Sequence, residues 1–110
     1  MVANLIYVTV GTAEEAAEIA RTLVDERLVA CANIFPPMTS IYRWQGDIQT
    51  DSECAMVLKT RADMVEEVTA RVRGLHSYEV PCVVALPIEG GNQRFLDWIV
   101  DETSAPPIVA

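Results

Sequence analysis

Residues 47–60 read as one extended segment, and its length limits what the rest of the chain can build. Fourteen residues at ~3.3 Å each span ~46 Å. A globule of 110 residues has a radius of gyration near ~13 Å and is only about 34 Å across. The segment therefore overhangs its own domain unless a bulge breaks it. Just upstream, Tyr42 and Trp44 alternate with Arg43 before a turn at Gln45-Gly46-Asp47. The overhang is thus the tip of a long hairpin. A strand with unpaired edges is an aggregation hazard until a partner pairs with it. A closed oligomer, in which each hairpin adds to a neighbour's sheet, removes that hazard.

The other elements follow from local patterning. Leu5 to Val10 is a continuous apolar run rich in β-branched residues and reads as a buried strand. Gly11 ends it. Thr12 caps a helix, with Glu15 three residues on completing a capping box. Ala16, Ile19, Ala20, Leu23 and Val24 give that helix one apolar face. Leu28 to Phe35 reads as a second strand, stopped by Pro36-Pro37. In the long segment, Cys54, Met56 and Leu58 share a face. Thr60 is placed to cap a second helix, with Asp63 in its first turn. Val65, Val68, Val72 and Leu75 form its buried stripe, and Arg71 and Arg73 suit its C-terminal end. Cys82 to Ile88 is the last core strand. Asn92 caps a short third helix carrying Phe95, Trp98 and Ile99, and the tail from Ser104 to Ala110 reads as extended.

The order strand, helix, strand, strand, helix, strand predicts an α+β chain. It is a ferredoxin-like βαββαβ sandwich with a long β-hairpin and a short C-terminal helix. Right-handed crossovers put both main helices on one face of an antiparallel sheet. The length allows one domain, spanning 1–110. The first and last strands are apolar on both sides, so the second face of the sheet needs a cover. An apolar fraction of 51% points the same way, towards surface buried between subunits.

Charge and cysteine usage narrow the function. A net charge of −8 argues against nucleic acid and against anionic membrane surfaces. Met1-Val2-Ala3-Asn4 lacks the basic region of a signal peptide, and no apolar run approaches the ~20 residues of a membrane span. Three cysteines do not make a disulfide framework, so a reducing cytoplasm is the expected location. No Cys-x-x-Cys pair, second histidine, Gly-x-Ser-x-Gly elbow or phosphate-binding glycine loop is present, and the chain is not expected to be an enzyme.

What chemistry there is concentrates in Leu75-His76-Ser77-Tyr78-Glu79-Val80-Pro81, a polar, aromatic turn between a helix and a buried strand. His76, the only histidine, and Cys82 are the candidate metal ligands, a pair whose softness suits copper. Glu79 is the carboxylate of the turn. Tyr42, Trp44 and Tyr78 are candidates to line a ligand pocket, or to cover subunit contacts. Lys59, the only lysine, is placed either to anchor an anionic ligand or to pair with an acid such as Glu53.

Three segments carry a family resemblance: Leu28-Val29-Ala30-Cys31-Ala32-Asn33-Ile34, Ser40-Ile41-Tyr42-Arg43-Trp44-Gln45-Gly46 and His76-Ser77-Tyr78-Glu79-Val80-Pro81. In order and spacing they resemble the CutA family of divalent-cation tolerance proteins, from about Leu5 to Trp98. The resemblance implies a ferredoxin-like protomer, a tight homotrimer, a cytoplasmic role in metal tolerance and no defined catalytic activity. It names no certain cofactor; copper or another divalent ion is the candidate. In one branch of that family the proposed copper ligands are a cysteine, a histidine and a glutamate. Their positions correspond here to Val10, Leu75 and Cys82, and the family's usual proline between the histidine and the tyrosine is Ser77. The family's trimer also resembles that of the PII signalling proteins, which bind small effectors between subunits.

Two functions follow as expectations. One is a trimeric protein that responds to metal ions and binds one weakly near His76 and Cys82. The other is a PII-like module that takes a small anionic ligand in an intersubunit cleft near Tyr42, Trp44, Lys59 and Tyr78.

Overall fold

In the computed structural model, which describes residues 2–104, β1 (Ala3–Val10) lies between β4 (Asp47–Arg61) and β5 (Val83–Pro87). The extended tail expected over 105–110 lies outside the described residues. The other elements are α1 (Ala13–Asp25), β2 (Cys31–Ile34), β3 (Met38–Trp44), α2 (Val65–Leu75) and α3 (Gln93–Glu102). The sheet order is β2-β4-β1-β5, each neighbouring pair antiparallel, and β3 continues β2 along β4. With β2 and β3 counted as one interrupted strand, this is the ferredoxin-like order expected from the sequence.

The core forms where α1 and α2 cover one face of the sheet. Ile6, Val8 and Val10 of β1 and Met56 and Leu58 of β4 pack with Ala16, Ile19 and Leu23 of α1 and Val68 and Val72 of α2. These even-numbered strand residues share a face because side chains alternate along a strand. Val24, expected on the apolar face of α1, is instead exposed. On the second face, α3 buries Ile99 against Ala3 and Ala30, near the start of β1. Asn92 caps α3 as expected, its Oδ1 accepting the Arg94 N–H at 3.1 Å. Val84 and Leu86 of β5 remain exposed in the isolated protomer.

Three boundaries differ from the sequence reading, each for a hydrogen-bonding reason. β2 starts at Cys31, not Leu28. The N–H groups of Leu28 and Val29 both donate to Leu23 O, at 3.0 and 3.4 Å, and so close α1 after a left-handed Arg27 (φ 60°). Thr60 does not cap α2. It is still in β4, fully buried, and its Oγ1 donates to Leu28 O at 2.6 Å. A single 3-10 turn, Ala62–Met64, intervenes before α2 begins. Cys82 stands just before β5 rather than in it, and β5 ends at Pro87.

The overhang is present. β4 runs for 15 residues, and the protomer measures 55 × 30 × 23 Å with a radius of gyration of 15.1 Å, above the ~13 Å of a compact chain this long. From Asp47 to Glu53, β4 pairs only with β3, and the edge that β1 occupies from Cys54 onward is open.

Pro36-Pro37 does more than end β2. Ile34 lies opposite Met56, and Met38 lies opposite Glu53. The chain advances four residues on one strand and three on the other, a bulge of one extra residue. An insertion of one exchanges the faces of every later side chain. Tyr42 and Trp44 therefore lie opposite Gln49 and Asp47, on the face of Asp51 and Glu53, not on the face of Met56 and Leu58.

The hairpin tip requires left-handed backbone at both central residues, Gln45 (φ 50°) and Gly46 (φ 88°), as a primed two-residue turn does. A Cβ at Gly46 or at Gly74 in α2 would meet no atom within 4 Å, so backbone conformation alone decides the outcome of substitution. Gly46→Ala is expected to destabilise the fold by about 1–2 kcal/mol. Gly74→Ala is expected to stabilise it by about 0.5–1 kcal/mol. Urea unfolding at one fixed protein concentration measures both, and equal signs would contradict the assignment.

Candidate functional site

A cleft of about 580 Å³ opens between the hairpin and the turn that follows α2. Its position follows from the fold. The chain leaves α2 on the helix side of the sheet and must pass the end of β1 to enter β5. Residues 76–82 make that passage, and three side chains hold them in place.

His76 is the first. Its N–H donates to Val72 O at 2.8 Å and closes α2. Its ring is buried, with Nε2 2.8 Å from Thr9 O and Nδ1 3.0 Å from the Tyr78 N–H. A carbonyl only accepts and an N–H only donates, so Nε2 carries the proton and Nδ1 supplies its lone pair. Both nitrogens are used in holding the turn, and the ring does not line the cleft. This is the correction to His76 as a metal ligand: neither nitrogen has a lone pair to spare.

Ser77 is the second. Its N–H and its Oγ each donate to the Glu15 carboxylate at 2.8 Å. Glu15 accordingly supplies half of the expected capping box. Its N–H donates to Thr12 Oγ1 at 3.1 Å, while its carboxylate turns to the passing chain. Tyr78 is the third. Its ring packs on His76 at 4.6 Å between centroids and beside Gly11, where a Cβ would stand 3.5 Å from the hydroxyl. Its OH donates to Glu53 Oε2 at 2.8 Å.

The opposite wall comes from the hairpin. Tyr42, Trp44, Asp51 and Glu53 line it together with Ser40 and Ser52, and Tyr42 OH donates to Asp51 Oδ2. Glu79, Val80 and Cys82 complete the turn side. Of the residues singled out in the sequence, the structure brings Tyr42, Trp44, Tyr78, Glu79 and Cys82 into one cleft. Lys59 is elsewhere. It shares the face of Glu53 but lies six residues along β4, ~20 Å away. There its ammonium donates to Asn33 Oδ1, lies 3.7 Å from Cys31 Sγ and stands 5.9 Å from the Phe95 ring centroid. It therefore neither pairs with Glu53 nor reaches the cleft. Asp51 and Glu53 as lining residues were not singled out from the sequence. Their signal was the even spacing from Ala55 along one unbroken strand, which puts them on the face opposite Met56 and Leu58.

Electrostatically the cleft is acidic. Asp51, Glu53 and Glu79 line it and no lysine or arginine does. Partial burial and the bond to Glu53 push the Tyr78 hydroxyl far above the usual phenol range, and the Asp51 bond raises Tyr42 in the same sense. Both phenols thus stay protonated and donating. Among the described residues, no three His, Cys, Asp or Glu side chains converge as a ready-made metal cage.

The Tyr78 phenol links stability to pH. In the unfolded chain it ionises near pH 10; in the folded chain it ionises well above that. Its contribution is full below about pH 10 and is lost as pH rises further. Wild type is therefore expected to exceed Tyr78→Phe in melting temperature at neutral pH, by a margin that shrinks from about pH 10 upward. Melting curves of both proteins across that range test it, and a margin independent of pH would contradict it.

Comparison with known proteins places this geometry. The family of the CutA1 divalent ion tolerance protein matches residues 4–102. The divalent-cation tolerance protein CutA of Archaeoglobus fulgidus is 48% identical over 100 residues, covering 91% of this chain and 96% of that protein. Its namesake in Thermus thermophilus is 46% identical, covering 91% and 97%. Among solved structures, the periplasmic divalent cation tolerance protein CutA from Archaeoglobus fulgidus superposes with a TM-score of 0.90 at 44% identity, over 93% of this chain and 99% of that one. CutA from Xylella fastidiosa gives 0.91 at 36% identity, over 94% and 100%. With nearly its whole length matched in sequence and in fold, this chain belongs to the CutA1 family of divalent ion tolerance proteins.

Proposed function

We propose that this chain acts in divalent-cation tolerance as a cytoplasmic homotrimer that binds a soft or borderline ion, copper first, weakly at the cleft. The observation that carries the reading is the lining itself: three carboxylates, Asp51, Glu53 and Glu79, beside the Cys82 thiol, with no basic side chain. Such a set attracts cations and repels anions. Thiolate adds a preference for copper over magnesium or calcium, which prefer oxygen. Because no three ligands converge within the described protomer, water or a neighbouring copy completes the coordination. The family is one of divalent ion tolerance proteins, which supports a binding role for the cleft. Cysteines that are all free among the described residues suit a reducing compartment.

A PII-like module for a small anionic ligand is the second reading, favoured by the aromatic lining of Tyr42, Trp44 and Tyr78. It lacks a cation to hold the anion, since Lys59 is engaged with Asn33. The trimer is supported by the open edge of β4 from Asp47 to Glu53 and by exposed apolar side chains on both sides of the ribbon. Ile41 and Ile48, 70% and 67% exposed, belong to one side and Trp44 to the other.

Two measurements check these readings. Sedimentation equilibrium is expected to give about three protomer masses at micromolar concentration, and a clean monomer would overturn the assembly. Calorimetry under reducing conditions, with Cu(I) held by a competing chelator, is expected to show weak binding that falls in Cys82→Ser, with little magnesium binding. Copper affinity unchanged in Cys82→Ser would remove the thiol from the site.

A further inference from the structure

His76 is the only histidine of the chain, and its side chain is closed off from water within a single protomer. Its partners all belong to the same chain: Thr9 O of β1, the Tyr78 N–H of the turn, and Glu15 of α1, whose Oε2 stands 3.7 Å from Nδ1. No second copy is needed to bury the ring, and none of these contacts depends on what the cleft holds. Histidine is also the side chain whose charge ordinarily changes between about pH 5 and 8.

The neutral ring suits the turn as it stands, with the Nδ1 lone pair receiving the Tyr78 N–H at 3.0 Å. A proton on Nδ1 occupies that lone pair, and two N–H groups then point at one another. The charged ring has other partners at hand. Glu15 already lies beside Nδ1, and the carbonyl end of α2, which His76 itself caps, favours positive charge. The remaining charged groups on the surrounding elements are engaged or turned away. Glu53 of β4 lies behind the Tyr78 hydroxyl, Glu79 lines the cleft, Arg71 of α2 is paired with Glu26, and Arg73 is exposed. Tyr7 of β1 is on the opposite face of the sheet from Ile6 and Val8, and β5 carries no acid or base. Two bonding states thus compete for one nitrogen.

We propose that His76 is a proton-operated latch on the turn over 76–82. In the neutral form it holds the Tyr78 N–H. In the charged form Nδ1–H turns to Glu15 and the Tyr78 N–H is released. Tyr78 is also the donor to Glu53, so its release loosens the wall that the turn contributes to the cleft.

Solution NMR of the full-length protein from about pH 8 to pH 5 follows both partners of the bond. Imidazole nitrogen resonances report when His76 takes its proton and on which nitrogen. Amide exchange, corrected for its intrinsic pH dependence, reports the Tyr78 N–H. Protection of that N–H is expected to fall about twofold to tenfold, in step with the charge on His76. In Glu15→Gln the charged ring loses its counter-charge, and both transitions are expected to move together to lower pH. His76→Asn can accept the Tyr78 N–H through its own Oδ1, as an Asx turn does, but takes up no proton. Its Tyr78 protection is expected to stay level across the range. Should that variant fail to fold, wild type and Glu15→Gln carry the test. A His76 that stays neutral throughout would overturn the latch, and so would Tyr78 protection that holds while His76 gains its charge. A fall in protection that persists in folded His76→Asn would assign the change to another group. Transitions unmoved in Glu15→Gln would remove the partner that the charged form requires. Either result also overturns the proposal.

Discussion

From Met56 to Lys59, β4 has a hydrogen-bonded neighbour on each edge: β1 on one and β2 on the other. From Asp47 to Glu53 it has only β3. One strand thus belongs to two structures, a central position in a covered sheet and one half of a two-stranded ribbon. The covered half is fixed by burial of Met56 and Leu58 under α1 and α2, which leaves no freedom of register. The ribbon inherits that register through a single continuous backbone. A two-stranded ribbon alone is marginal in water, so its order is borrowed from the covered half. The cleft exists only because the ribbon is held at a fixed angle to the end of β1.

The second wall is held by a different physics. The turn over 76–82 has no regular ladder, and its position depends on side chains that each meet a distinct element: His76 on β1, Ser77 on α1 and Tyr78 on β4. Ser77 is instructive. A proline here, as the family resemblance suggests, could offer Glu15 neither an N–H nor a hydroxyl. Serine gives both, and Glu15 meets them with its two oxygens. The substitution exchanges a stiff backbone for a pair of charge-assisted hydrogen bonds.

Much of this was legible in the sequence. The strand and helix order, the α1 cap at Thr12, the overhang and the importance of the histidine turn followed from periodicity, capping chemistry and length. What was not legible depended on two-residue accounting between distant segments. The single extra residue at Pro36-Pro37 decides which face Tyr42 and Trp44 share, and no local pattern announces it. Thr60 has the chemistry of a cap, but Leu28 O across the sheet is the partner it finds. His76 has the chemistry of a ligand, yet a carbonyl on β1 and an N–H two residues away take both nitrogens. In each case the residue type was read correctly and the partner was not, because the partner is set by tertiary packing.

The same logic explains how a family scaffold can persist while its chemistry moves. Val10 is fully buried in the core under α1 and α2, and Leu75 packs against that core. Where one branch of the family is held to carry a thiol and an imidazole, this chain carries apolar side chains already used for packing. No vacancy is left there for an ion. Only Cys82, of the three corresponding positions, lines the cleft, and it does so beside carboxylates from β4 and the aromatic rings that the bulge has brought to their face. Charge in this cleft therefore comes from the ribbon and the turn, and not from the core strands. The ribbon is also the part of the protomer with an open edge, so whatever pairs with that edge also adjusts the wall on which Asp51, Glu53 and Trp44 sit. In the proposed trimer, assembly and ligand binding share one strand, β4.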